Sequence, residues 1–495
     1  MLGRKPGQEW EPAEEEIAEL LYRTSLRNWR RQLRSGPYGG DAGSPGRRPA
    51  DHFARAVSRR RLKKFRKAVK ISRPRNLRKE LLLAKYRPSP ILDRLLPDRK
   101  ARWRPITKRL VRASPAAESI RNFSFLTHPS ETLETLKAIG RLEGQELNAL
   151  LHFDDKFCLD AGSYLVLAEI WHSVRHTLAG GRMPKPIQKV LDATGVGEHN
   201  RMRLEAIGPN DDKDPDKTDV WAFSLRRRRP ARSSRSVTVH LDPQTRERTA
   251  DDFCEEINRW LSVPAIDREL TEDGRGWIAS IIGELLCNAE RHSQAGSEDG
   301  DWSMTAYMAR RIEDGNATFR CYIAFLSVGR SIAEGLGDAA EDIRAAIDRY
   351  TFRHRRSGIS KETLETVFAL QDTVTRDPAA HAARSGGTGL QDVLDVVHVL
   401  GGTAEAGKEA QVTVVSGKAC IRLRQPYIIG VRAGGPRDPR LIWFNPINRS
   451  DDPPDGNFVH DLPDHFSGTL VSVAFTLDPA YLAAHTESAD EDDQP

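Results

Sequence analysis

The sequence predicts an α/β protein built from more than one unit, and three observations carry that reading. Short apolar or alternating runs are followed by stretches whose apolar residues recur every three and four positions, the order that strands and helices leave in a chain. At 495 residues the chain exceeds what a single hydrophobic core organises, roughly 250 residues. Its charge is divided as well. The total is +6, but residues 47–112 hold 25 Lys and Arg against 4 Asp and Glu, a net of +21 that leaves −15 for the rest.

From the start of the chain, residues 12–34 read as an amphipathic helix with Ile17, Leu20, Leu21 and Trp29 near one another, followed by a Gly/Pro-rich loop at 35–49. The basic arm at 47–112 is interrupted by prolines at 74, 88, 90, 97 and 105 and has few apolar residues to offset its ordering entropy. The region 1–115 is therefore expected to be basic and largely disordered, or to form isolated short helices. Its charge suits nucleic acid phosphates, or it is a solvated tail. No run approaches the roughly 18 apolar residues of a bilayer span, and the charged N-terminus lacks a signal core, so no membrane contact and a cytoplasmic location are expected. The five cysteines are scattered without a CxxC pair, which fits neither a disulfide framework nor a zinc site.

A small α/β domain is expected over 120–225. Residues 148–153 (NALLHF) predict a strand, and 161–178 a helix on Leu165, Leu167, Ala168, Ile170, Trp171 and Val174. Gly180 and Gly181 then stop that helix, residues 187–191 form the next strand, and another helix starts near Gly197. The acidic turn Asp154-Asp155 followed by Asp160-Ala161-Gly162 resembles the STAS domain of bacterial anti-sigma antagonists. Ala161 stands where phosphorylatable members carry Ser or Thr, so the resemblance implies no phospho-switch there. The basic run at 226–235 predicts a linker or hairpin, set at 226–250.

The residues that carry chemistry come next. In 276–292 (GWIASIIGELLCNAERH), Ile278, Ile281, Ile282, Leu285 and Ala289 form one helical face, and Glu284, Asn288 and His292 fall four apart on a neighbouring stripe. An amide oxygen ligates Mg2+, and a carboxylate one turn earlier orients or deprotonates a water. A hundred residues on, Gly386, Gly387 and Gly389 make a loop whose N–H groups can approach phosphate, leading into a helix on Leu390, Val393, Leu394, Val397 and Leu400. Between them the alternating run at 319–326 leads into Ser327-Val328-Gly329-Arg330-Ser331-Ile332, and a last strand pair is expected at 411–416 and 470–477.

These elements, in this order over 251–480, resemble the GHKL ATPase superfamily of gyrase-type topoisomerases, heat-shock chaperones, histidine kinases and anti-sigma kinases. The resemblance implies a two-layer sandwich, a mixed sheet covered by helices, that binds ATP and Mg2+. It makes Glu284 the water-orienting base and Asn288 the magnesium ligand, with His292 at the same site. Gly386, Gly387, Gly389 and Leu390 become the phosphate box, and Thr469 lies near the adenine. Ser327, Gly329 and Ile332 match a first glycine box that reads Asp-x-Gly-x-Gly-Ile in the family. Ser327 replaces the adenine-binding Asp, and Ser331 replaces the second glycine. Weak ATP binding, binding of another nucleotide, or a purely structural pocket all follow from that change.

Residues 338–350 and 360–371 predict a helical lid, with Arg384 near the phosphate loop, either to neutralise γ-phosphate charge or in solvent. Residues 427–464 read as an insertion of unreadable role, and 481–495 as an acidic tail. The function expected is an ATP-binding regulatory protein with a protein partner or as a homodimer. An anti-sigma-type serine kinase and a pseudo-ATPase scaffold that binds protein or nucleic acid are the alternatives.

Overall fold

The computed structural model describes residues 78–83, 86–102, 106–111, 117–142, 149–175, 178–197, 204–208, 219–228, 245–293, 300–313, 316–372, 374, 389–403, 407–432, 434–435 and 438–482. The predicted helix at 12–34 and most of the acidic tail lie outside them. Helices and strands alternate along the chain, in an α/β arrangement with one parallel and one larger antiparallel sheet.

Part of the basic arm is folded, which corrects the expectation for 1–115. Strands β1 (Arg78–Leu83) and β2 (Ile106–Val111) pair antiparallel. Between them lie α1 (Pro90–Leu95) and α2 (Arg99–Arg102). Ser89 caps α1, Pro90 suits the first turn, and Ile91, Leu92, Leu95 and Leu96 enter the core. Arg99 is buried too, its guanidinium bonded to the Arg87 carbonyl at 3.0 Å and stacked over Tyr86. Four apolar residues on one short helical face outweighed the surrounding charge, so a truncation that respects the core must stop before Tyr86.

The middle of the chain forms a parallel sheet, ordered β3 (Ala117–Ile120), β4 (Ala149–Phe153), β5 (Leu178–Pro184) and β6 (Glu205–Ile207). Helices α3 (Pro129–Arg141), α4 (Ala161–Val174) and α5 (Lys185–Ala193) connect them. Two readings are corrected here. Gly180 and Gly181 do not end α4 but lie in β5, where a Cβ on Gly181 would sit 2.0 Å from the Leu151 carbonyl oxygen. The 187–191 run is helical, because Ile187, Val190 and Leu191 fall three and four apart and bury one face.

The larger sheet runs β10 (Gln411–Leu423), β13 (Val459–Leu477), β9 (Asn316–Ser327), β8 (Trp302–Glu313), β7 (Asp219–Arg228). Among the described residues every pairing in it is antiparallel, where the sequence implied a mixed sheet. Strand β7 crosses the boundary drawn at 225. Val220 to Phe223 pair with Ala309 to Ala306, and Arg226 to Arg228 with Met304 to Trp302, so the start of the supposed linker is an edge strand.

Both faces of this sheet are buried, which makes the architecture more than two-layered. Phe319, Cys321 and Phe325 face one core with Phe475, Val473 and Val471, while Tyr322, Ala324 and Leu326 face a second with Leu470 and Ala474. The first core is closed by α6 (Arg246–Leu261), α7 (Glu272–His292) and α11 (Gly389–Leu400). The second is closed by α4, a helix buried all round. Its N-cap Asp160 is the joint between the units. The carboxylate accepts from Gly162 N (2.7 Å), Phe125 N (2.7 Å) and Ser472 Oγ of β13 (2.6 Å). Burial pushes the Asp160 pKa up, against these three donors.

Helices α8 (Ile332–Leu336), α9 (Glu341–Arg353) and α10 (Lys361–Ala369) form the predicted lid region. The 427–464 segment, with β11 (Val431–Arg432) and β12 (Arg440–Leu441), holds it down. Trp443 packs on Tyr350 and Phe368, and buried Arg440 bonds Asp372 (2.9 Å), Asp392 (2.6 Å) and Asp395. Among the described residues no helix is long and apolar enough to cross a membrane.

Two predictions follow from this packing. A Cβ on Gly162 would lie 2.0 Å from Ser472 Oγ, whereas one on Gly276 of α7 meets nothing within 4 Å. Gly162→Ala is expected to cost about 1–3 kcal/mol and Gly276→Ala to gain about 0.5–1 kcal/mol, read as urea midpoints of opposite sign. Arg440→Met leaves three neighbouring carboxylates without their cation and should cost about 3 kcal/mol at neutral pH. Burial already holds the Asp395 pKa up, and loss of the Arg440 cation that opposes this raises it further above the unfolded value. The folded variant takes up protons as pH falls, so the deficit against wild type should shrink toward about pH 5.

Candidate functional site

Helix α7 starts at Thr271, whose hydroxyl accepts from Gly274 N, with Glu272 and Asp273 in the positive first turn. Its buried face is Ile278, Ile281, Ile282, Leu286 and Ala289, with Leu285 half-buried. That packing turns Asn288 to the surface at the far end. Glu284, one turn earlier, is half-buried; His292 ends the helix, and its side chain lies outside the described residues.

The turn after β9 is fastened to this end of α7. Gly329 adopts φ +148°, and a Cβ there would lie 2.0 Å from the Ser293 carbonyl oxygen, which accepts from Arg330 N at 3.0 Å. Gly468 at φ +114° lets β13 approach just as closely, since its Cβ would meet the Ser327 carbonyl at 2.1 Å. Ser327 and Thr469 are thereby cross-strand partners. Val328 N donates to buried Asp301.

Ser331, where the resemblance expects glycine, has a structural task of its own. It caps α8, its hydroxyl accepting from Glu334 N while the Glu334 carboxylate accepts from Ser331 N, a reciprocal capping box. The same hydroxyl lies 3.3 Å from Glu362 of the lid, whose carboxylate also meets His465 at 3.1 Å. Burial opposes the charge of Glu362, but His465 and the donors from Lys418 N and Ser331 outweigh it and hold its pKa below the usual range.

Between these parts lies a cavity of ≈ 220 Å³. Asn288, Ser327, Ile332, Leu390 and Thr469, predicted from four distant segments, all line it. Phe325, Val414 and Val471 form its apolar floor, and Leu336, Leu370 and Val374 its roof. The first turn of α11 opens onto it, with Gly389 at the helix start and Leu390 in the wall. Glu284 and Gly329 are not in the lining; Gly329 shapes it through Ser293. Arg384, Gly386 and Gly387 lie outside the described residues.

Sequence reasoning missed Ser293, Arg330 and the roof. Ser293 directly follows the predicted helix and Arg330 lies inside the glycine box, so both were adjacent to the signal. Leu370 and Val374 end or follow a lid helix and carry no chemical mark. Among the described residues no three His, Cys, Asp or Glu gather as a metal cluster. Comparison of the chain with protein-family models, curated proteins and solved structures returns no match.

The fastening at Gly329 is testable. Gly329→Ala adds both a backbone clash and an unfavourable φ, and is expected to cost more than about 2 kcal/mol and to open the cavity. Hydrogen exchange should show faster opening of the Arg330 amide, which bonds Ser293, in that variant than in wild type.

Proposed function

We propose that the cavity binds a magnesium–purine nucleoside triphosphate in the manner of the GHKL superfamily. The convergence of Asn288, Ser327, Ile332, Leu390 and Thr469 on one cavity is the observation that carries this reading. Spacing along the chain does not require it, since these residues span 181 positions, from 288 to 469.

The chemistry of the lining fits the ligand. Phe325, Val414, Val471 and Leu336 offer flat apolar walls to a base, and hydroxyls at the closed end offer hydrogen bonds to its edge. The start of α11, with amide N–H groups that have no intrahelical partner, favours negative charge at the other end. Among the described residues no cluster of His, Cys, Asp or Glu could hold a metal, so a magnesium ion would be held mainly by phosphates and water, with the Asn288 side-chain oxygen as its protein ligand. Glu284, one helical turn from Asn288, orients or deprotonates the attacking water. The lid, tied to the cavity by Ser331, Glu362 and His465, keeps bulk water from the base.

The reading is of a regulatory protein because the STAS-like parallel unit docks in cis on the sheet that carries the cavity. Val471 lines the cavity, and its neighbour Ser472 bonds Asp160 of the docked unit.

Glu284→Ala removes the water-orienting carboxylate and no magnesium ligand. Nucleotide affinity should stay within about twofold of wild type while phosphate release falls by roughly a hundredfold or more. Purified full-length protein and γ-labelled ATP measure both quantities. Equal turnover in the two proteins removes Glu284 from the reaction, and label retained on protein instead of freed as phosphate assigns the kinase alternative.

A further inference from the structure

The base-facing end of the cavity has an unusual donor and acceptor composition. Among the described residues no carboxylate lines the cavity, and Arg330, which does line it, is paired with Asp338 at 2.7 Å. The nearby buried Asp301 is turned to Val328 N and is not in the lining. What remains at that end is a set of hydroxyls. Ser327 is 5% exposed, and among the described residues its hydroxyl has no hydrogen-bond partner. Ser293 also lines the cavity, but its Oγ is buried away from it, where a Cβ on Gly300 would come within 2.1 Å.

The third hydroxyl, Thr469, belongs to a relay that has two settings. Ser416 Oγ accepts from Ile332 N at 2.8 Å and lies 3.2 Å from the Gly468 carbonyl and 2.8 Å from Thr469 Oγ1. If Ser416 donates to Gly468, Thr469 donates to Ser416 and shows the cavity lone pairs. If Ser416 donates to Thr469, the Thr469 proton is free to point into the cavity. A carboxylate can only accept, whereas each of these hydroxyls can do either.

Resting on the nucleotide reading above, we infer that the site takes 6-oxo purine nucleotides, those of hypoxanthine or guanine, at least as well as ATP. The 6-amino edge of adenine presents a donor beside an acceptor; the 6-oxo edge presents the reverse. A fixed acceptor matches one edge and repels the other. Reversible hydroxyls match both, while the Arg330 guanidinium is paired with Asp338 at 2.7 Å and favours neither edge. Inosine triphosphate isolates the effect, because it differs from ATP at this edge alone.

The experiment is calorimetry of the full chain with ATP, ITP and GTP, each with magnesium, on wild type, Ser327→Asp and Ser327→Ala. Wild type should bind ITP within about threefold of ATP or more tightly. Ser327→Asp should shift the ratio toward ATP by about tenfold or more, and Ser327→Ala should leave it within about threefold, since the relay persists. Wild-type ATP binding tenfold or more tighter than ITP overturns the inference and leaves the nucleotide reading standing. Absence of binding by all three nucleotides overturns both. Should Ser327→Asp fail to fold, the wild-type ratio alone decides.

Discussion

Burial of both faces of the five-stranded antiparallel sheet is the constraint on which the rest of the molecule depends. Period-two alternation in β9 sends Phe319, Cys321 and Phe325 one way and Tyr322, Ala324 and Leu326 the other, and β13 repeats the pattern. Neither set tolerates water at full exposure, at about 25 cal/mol per Å² of apolar surface. The parallel unit is therefore the missing layer of the sheet. This also explains α4, which has no solvent face because it lies between two sheets.

The joint at Asp160 shows how polar chemistry is made to serve that burial. A carboxylate taken out of water is costly, and the raised pKa of Asp160 expresses the cost. Three donors from three separate segments offset it: the first turn of α4, the loop at Phe125, and β13. A second joint works without a counter-charge. Buried Arg311 of β8 donates to the Cys158 carbonyl at 2.8 Å and stacks against Phe157 and Tyr322. Both joints hold the 154–160 loop on the sheet, so the parallel unit has a fixed orientation as well as a place.

What could be read from the sequence was what is local. The apolar face of α7, the alternation of β9 and the paired lid helices each repeat within a dozen residues, and each was placed nearly to its ends. Non-local pairing left no such mark. Strand β7 finds its partner across 74 to 91 positions, and Trp302 and Arg228 both reach Glu290 of α7. The short run at 187–191 reads as a strand, but its apolar residues at 187, 190 and 191 keep helical spacing and bury one face of a helix. The cavity was legible because its residues cluster in local boxes. Its roof was not, since Leu370 and Val374 are ordinary apolar residues until the 427–464 segment presses the lid down.

The position of the cavity follows from where β9 ends and its pairing with β13 stops. At the last bonded step of β9 and β13, Ser327 faces Thr469, and Gly329 and Gly468 allow the backbones to approach without Cβ atoms between them. Beyond that point β9 has ended and β13 runs on against β10, and the space on the β9 side is closed instead by the end of α7, the capped start of α8 and the start of α11. Thr469 and Val471 face this space, while Leu470 and Ser472, one residue out of phase, face the parallel unit. Successive residues of a strand are about 3.4 Å apart and cannot move independently of the pleat. A shift of β13 that reshapes the cavity therefore disturbs the Ser472–Asp160 bond, and a shift of the parallel unit reaches the cavity by the same route.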